Sequence, residues 1–183
     1  MKKTLSLLLL MILIFGVVGV QNTVEATTVP AVFKQKFPRE QVDQIKNVDL
    51  DNDRKNETII LSKQGNLFII KNKNVQWMAR QIISEEDFPP PQILTFKPSK
   101  NEVHVVAMYY YGPSNTQAYV YRLSKGKAKN VLNIMGDQAV KISGYNIIQK
   151  WKKYRDGGGW DMVVTTYSWN TKQLKYVSKG IKP

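Results

Sequence analysis

Three asparagines spaced by a constant 45 residues, Asn56, Asn101 and Asn146, set the strongest constraint on what this chain can fold into. Around the first two, "RKNETIIL" at 54 to 61 aligns with "SKNEVHVV" at 99 to 106. Each asparagine is followed by a strand-like stretch, a turn, a second stretch, a polar turn and a third stretch. The last of these turns are "KNKN" at 71 to 74, "SKGKAKN" at 124 to 130 and "WNTK" at 169 to 172. A period of this length marks a supersecondary unit that cannot bury its apolar face alone and must stack on a neighbour. The repeat divides residues 41–183 into units 41–88, 89–136 and 137–183, each expected to be a four-stranded antiparallel meander.

The local patterns agree with an all-β chain. Stretches rich in β-branched and aromatic residues run over 58–61, 67–70, 75–83, 103–110, 118–123, 131–135, 146–151, 160–169 and 174–177. Polar turns such as Gln64-Gly65-Asn66, Gly112-Pro113-Ser114 and Gly157-Gly158-Gly159 separate them, and no apolar stripe of helical period has useful length. Three blade-like units are fewer than the typically about 4 to 8 of a closed propeller. A partial propeller, an open barrel or a sandwich is therefore expected, closed alone or by dimerisation.

The N-terminus has the layout of a secretory signal: Lys2 and Lys3, an apolar run from Leu5 to Val20, and a small and polar end at Val24-Glu25-Ala26. Cleavage is expected after Ala26, giving a signal peptide over 1–26. Ser6, Gly16 and Gly19 interrupt the run, which is shorter than the roughly 20 apolar residues that span a bilayer. No transmembrane helix is expected after cleavage. The chain has no cysteine, so an exported form folds without disulfides and depends on packing and on any bound ion. That usage fits a protein secreted by a Gram-positive bacterium, in solution or associated with the wall. Residues 27–40 read as a lead-in, with a short helical turn expected over Pro38–Val42.

Charge narrows the class of partner. Without residues 1–26 the chain keeps 25 basic and 13 acidic residues, a formal +12. Residues 41–89 are nearly neutral, with 7 basic and 8 acidic groups, whereas 90–183 carry 15 basic and 4 acidic ones. Such a field attracts polyanions: teichoic acids, anionic lipid head groups, acidic polysaccharide or extracellular DNA, the last without a nucleic-acid motif in its support. A secreted or surface protein is the other class of partner.

Against this basic background stands "DLDNDRKNE" at 49 to 57. Asp49, Asp51, Asp53 and Glu57 lie at positions 1, 3, 5 and 9 of a tight loop, with the carbonyl of Lys55 at position 7. Carboxylates in this alternation can converge on a hard cation such as Ca²⁺, which takes about 6 to 8 oxygens in irregular geometry. A helix-loop-helix calcium site is excluded, because position 12 is Ile60 and both flanks read as strands. The segment "VDLDNDRKNETIIL" resembles the calcium-binding hairpin of FG-GAP and VCBS type repeats, Asp-x-Asp-x-Asp-Gly-x-x-Asp/Glu followed by a strand. The resemblance covers about fourteen residues. It implies four-stranded propeller blades in a secreted or cell-surface binding protein, with Asp49, Asp51, Asp53, the Lys55 carbonyl and Glu57 as ligands. Arg54 stands where that family has Gly, and the second and third units carry "KPSKNE" and "ISGYN" in place of the acids.

Catalytic signals are sparse. His104 lies in the alternating strand "EVHVVAM" and reads as structural; neither Gly-x-Ser-x-Gly nor His-Glu-x-x-His occurs. A glycosidase needs only two facing carboxylates, for which Glu85, Glu86, Asp87, Asp156 and Asp161 are candidates. No catalytic residue is assigned. Aromatic residues cluster instead: all nine tyrosines and three of four tryptophans follow residue 108. "YYYGPSN" at 109 to 115 and "KYRDGGGW" at 153 to 160 fall at the turn between the second and third strands of their units, opposite the acidic loop. Tyr110, Tyr111, Tyr154 and Trp160 are the expected ligand rim, while Tyr109, Tyr119, Tyr121 and Tyr167 are expected to pack in the sheets. The reading that results is a non-catalytic binding module with one calcium-stabilised loop; a glycan or wall hydrolase and a secreted enzyme inhibitor are its alternatives.

Overall fold

The computed structural model describes residues 28–181. The expected signal peptide lies outside the described residues. Twelve strands form three separate four-stranded antiparallel sheets, each a simple meander. Sheet I contains β1 (Val42–Val48), β2 (Glu57–Ser62), β3 (Leu67–Lys71) and β4 (Asn74–Ala79). Sheet II contains β5 (Gln92–Ser99), β6 (Glu102–Tyr111), β7 (Asn115–Ser124) and β8 (Lys127–Gly136). Sheet III contains β9 (Ala139–Ser143), β10 (Asn146–Tyr154), β11 (Trp160–Asn170) and β12 (Lys175–Gly180). The arrangement is open, with no closed barrel, and no described helix is long and apolar enough to cross a membrane.

Period-two alternation stacks the sheets. Ile59, Leu61, Leu67 and Ile69 of sheet I meet Val103, Val105, Tyr121 and Leu123 of sheet II in one core. The opposite face of sheet II, with Val106, Met108, Ala118 and Val120, meets Val140 and Ile147 of sheet III in a second. The remaining face of sheet I, with Ile60, Phe68 and Ile70, is covered by the only described helix, α1 (Ala31–Lys36). Phe33 is fully buried there, and its ring stands edge-on to Phe68 at 5.0 Å.

The helix does not fall where the sequence suggests. It runs over Ala31–Lys36, while Pro38-Arg39 form a turn and Val42 already belongs to β1. Pro38 pushes the preceding residue out of the helical region, and Phe37 accordingly has φ −130° and ψ 62°. The expected strand over 75–83 also stops early, at Ala79. Its continuation crosses the β2–β3 turn, where Ile82 donates its N–H to the Gly65 carbonyl at 2.9 Å. Gly65 has φ +75°, and a Cβ there would meet the Ile82 nitrogen at 3.0 Å, so the crossing requires glycine.

The asparagine repeat is not in structural register throughout. Ser99 pairs with Glu102 across one two-residue turn and Ser143 with Asn146 across the other. Asn146 therefore holds the place of Glu102, not of Asn101. A one-residue shift exchanges the faces of a strand, and it is what turns Ile147 and Gln149 toward sheet II and leaves Ile148, Lys150 and Lys152 on the outside.

Candidate functional site: an acidic clasp and a basic outer face

The loop from Asp49 to Asn56 joins β1 to β2 and is tied largely by its own carboxylates. Asp49 accepts the N–H groups of Asp53 at 3.1 Å and Arg54 at 2.9 Å, and Asp53 accepts that of Lys55 at 2.8 Å. Asn52 and Arg54 are both left-handed, with φ 59° and 66°. Arg54 thus adopts a conformation that favours Gly, at a cost of about 1 kcal/mol. Glu57 is buried and accepts the Leu50 N–H at 2.8 Å. Across to sheet II, the Asn52 amide donates to the Asn101 carbonyl at 2.9 Å.

Asp49, Asp51 and Glu57 offer oxygens within 4.8 Å of one another and could hold a metal ion. Asp53 is not part of this triad, and Lys55 enters the loop's bonding through its N–H. The sequence reading missed one member of the site, Lys71. Its Nζ lies 2.8 Å from Asp51, 2.9 Å from Asp53 and 2.6 Å from Glu57. Burial pulls the lysine pKa down, but the hydrogen bonds that Lys71 donates to Asp51, Glu57 and Asp53 outweigh it and hold the ammonium above the usual lysine range. Conversely, the hydrogen bond from Lys71, helped by the Lys55 N–H, holds the Asp53 carboxyl below its ordinary value. The signal for Lys71 was the meander itself. Thr58 pairs with Ile70, so the next position outward sets Glu57 against Lys71, the first residue of "KNKN".

Sheet II repeats the theme with different partners. Glu102 bonds the Arg122 guanidinium at 3.3 Å and His104 Nε2 at 3.1 Å, and His104 Nδ1 lies 2.9 Å from the Tyr176 hydroxyl of sheet III. With Glu102 as acceptor, Nε2 carries the proton and Nδ1 receives the tyrosine O–H. The imidazole is fully buried, edge-on to Trp169 at 4.6 Å. Burial lowers its pKa, Glu102 opposes that shift and Arg122 adds to it. Sheet III has no carboxylate at this position; Ser168 donates to Asn146 at 2.7 Å instead.

The four rim aromatics divide into two pairs. Tyr110 packs on the core between sheets II and III, and burial raises its pKa. Tyr111 stacks on Tyr109 at 5.9 Å, on the other side of the same strand. Tyr154 and Trp160 pair across β10 and β11 and are exposed, at 70% and 41%. Their face continues through the pairs Lys152 with Met162, Lys150 with Val164 and Ile148 with Lys141. On β12 it takes in Val177, Lys175 and Lys179. Met162, Val164 and Val177 are 46%, 42% and 45% exposed. The face carries five lysines and no Asp or Glu, and the Lys152 ammonium lies 5.4 Å from the Trp160 ring centre.

The carboxylates considered for hydrolysis are placed as follows. Glu85 accepts the Gly112 N–H at 2.8 Å, and Asp161 pairs with Arg155 at 3.0 Å. Glu86, Asp87 and Asp156 are exposed. No protein-family model, curated protein or solved structure matches the chain.

Proposed function

We propose that the chain is a secreted, non-catalytic binding module that meets an anionic partner at the cell surface through the outer face of sheet III. The observation that carries this reading is the composition of that face: five lysines, no carboxylate, and the exposed rings of Tyr154 and Trp160 among them. Clustered like charges concentrate anions from solution in a salt-dependent way, and an aromatic ring beside an ammonium adds a directional contact. The expected rim is thereby narrowed to its sheet III half.

The acidic loop serves as a clasp for the first sheet rather than as part of the binding face. Its carboxylates fit a hard divalent cation, and calcium is the ion this donor set favours. Asp49, Asp51 and Glu57 would hold it, supplying a cross-link between the loop and β2. Lys71 bonds two of those three groups, so the ammonium and the ion compete, and calcium adds less stability than an acid cluster without a lysine would gain.

Retention on an immobilised polyanion, dextran sulfate, tests the reading. Lys150→Gln with Lys152→Gln is expected to elute at clearly lower salt than the unchanged chain. Lys34→Gln with Lys36→Gln, the same loss of charge on α1 at the far end of the stack, is expected to elute close to it. Equal drops for the two pairs would mean that net charge alone drives retention, and the assignment of the face would fail.

A further inference from the structure

We propose that the outer face of sheet III docks on an anionic lipid bilayer; this rests on the binding face described above and names its partner. The face interleaves two chemistries. Lys141, Lys150, Lys152, Lys175 and Lys179 supply charge; Met162 and Val164 lie directly across from Lys152 and Lys150, Val177 lies between Lys175 and Lys179 on β12, and Tyr154 and Trp160 continue the exposed apolar surface at the end of the hairpin. A hydrophilic polyanion would satisfy the lysines and leave the apolar residues wet. A bilayer interface satisfies both: head groups take the ammonium groups, the long lysine stems lie along apolar surface, and Trp and Tyr rings favour the depth of the head groups.

A second copy of the chain is the poorer occupant. Two such faces brought together would oppose lysine to lysine with no acid between them. Head-to-tail stacking would need the free face of sheet I, where α1 covers Ile60, Phe68 and Ile70. The repeat makes the same point. Ile148, Lys150 and Lys152 stand where His104, Val106 and Met108 stand in sheet II, so the face on which sheet II carries another sheet bears lysines in sheet III. It is built against a further protein layer and still keeps its apolar residues.

The test compares vesicles of phosphatidylglycerol and of phosphatidylcholine, each with brominated acyl chains, using the full chain. The N-terminal apolar run is common to every variant, so differences between variants report on sheet III. Phosphatidylglycerol is expected to quench tryptophan emission more than phosphatidylcholine, with the extra quenching largely absent in Trp160→Phe. Each lysine near such a surface is worth about fivefold in partitioning, so Lys150→Gln with Lys152→Gln is expected to weaken binding about 30-fold. Quenching that is equal on both lipids, or unchanged in Trp160→Phe, would overturn the proposal. Retention on dextran sulfate without binding to phosphatidylglycerol would overturn the lipid assignment and leave the anionic face standing. Binding to neither probe would overturn both.

Discussion

Sheets I and III close the two ends of the stack by opposite means. Sheet I buries its outer face under α1, through Phe33 against Phe68, and clasps its long β1–β2 loop with Lys71. Among the described residues no helix covers sheet III, which turns from β9 to β10 in two residues; lysines set among apolar residues finish its outer face. Repeat arrays need polar outer faces on their terminal units to stay soluble. One end meets that need with a piece of its own chain and the other with charge. Among the described residues only the second leaves a surface free for a partner, so stability should concentrate in sheet I and recognition in sheet III.

The contrast is broken most directly by truncating one aromatic residue at each end. Phe33→Ala, which empties a buried site under α1, is expected to cost about 3 to 4 kcal/mol in denaturant unfolding. Trp160→Ala on the exposed face is expected to stay within about 0.5 kcal/mol. Similar losses at both sites would mean that sheet III is structurally as closed as sheet I. The next effect is at the clasp. Lys71→Met leaves Glu57 buried without its partner and should cost about 3 kcal/mol in chelator. Added Ca²⁺ should raise the melting temperature of this variant more than that of the unchanged chain, because the ammonium no longer competes. An equal rise in both would show that lysine and ion do not share the site.

Much of this was legible beforehand, and the gaps have physical causes. The three four-stranded meanders follow from the repeat, and the acidic loop from its alternation. The strands that were not recognised one by one are β1, β5 and β9, the first of each sheet. Edge position alone does not explain this, since β4, β8 and β12 are edges too; in "VDQIKNV" and "AVKIS" polar and charged residues leave few consecutive β-branched or aromatic ones to mark a strand. The spacing of asparagines concealed the one-residue shift before β10, because conserved turn chemistry does not fix register. Lys71 was harder to see for a different reason: its role comes from a cross-strand neighbour fourteen residues away, legible only by counting the register of the meander, and "KNKN" alone reads as a turn.

Smaller effects refine the comparison at the joint between sheets II and III. Burial depresses the pKa of His104 in the fold, whereas an unfolded histidine titrates near about 6.5. The unfolded chain therefore binds more protons just below that pH. The His104 contribution to stability is full above about pH 6.5 and is lost as the pH falls below it. His104→Gln should flatten that slope in melting curves taken from pH 7 to pH 5; an unchanged slope would place its origin elsewhere. Asp53, held down by Lys71, adds its own loss only as the pH falls below about 4. Smallest of all is the expected change in stability on Lys150→Gln with Lys152→Gln, within about 0.5 kcal/mol, although the same pair should weaken binding strongly.

Lysine acetylation footprinting, read by mass spectrometry with and without dextran sulfate, tests most directly whether sheet III carries the recognition. The account predicts that Lys141, Lys150, Lys152, Lys175 and Lys179 are protected together, while Lys34 and Lys36 on α1 react at unchanged rates. Protection spread evenly over all exposed lysines, or centred on α1, would contradict it.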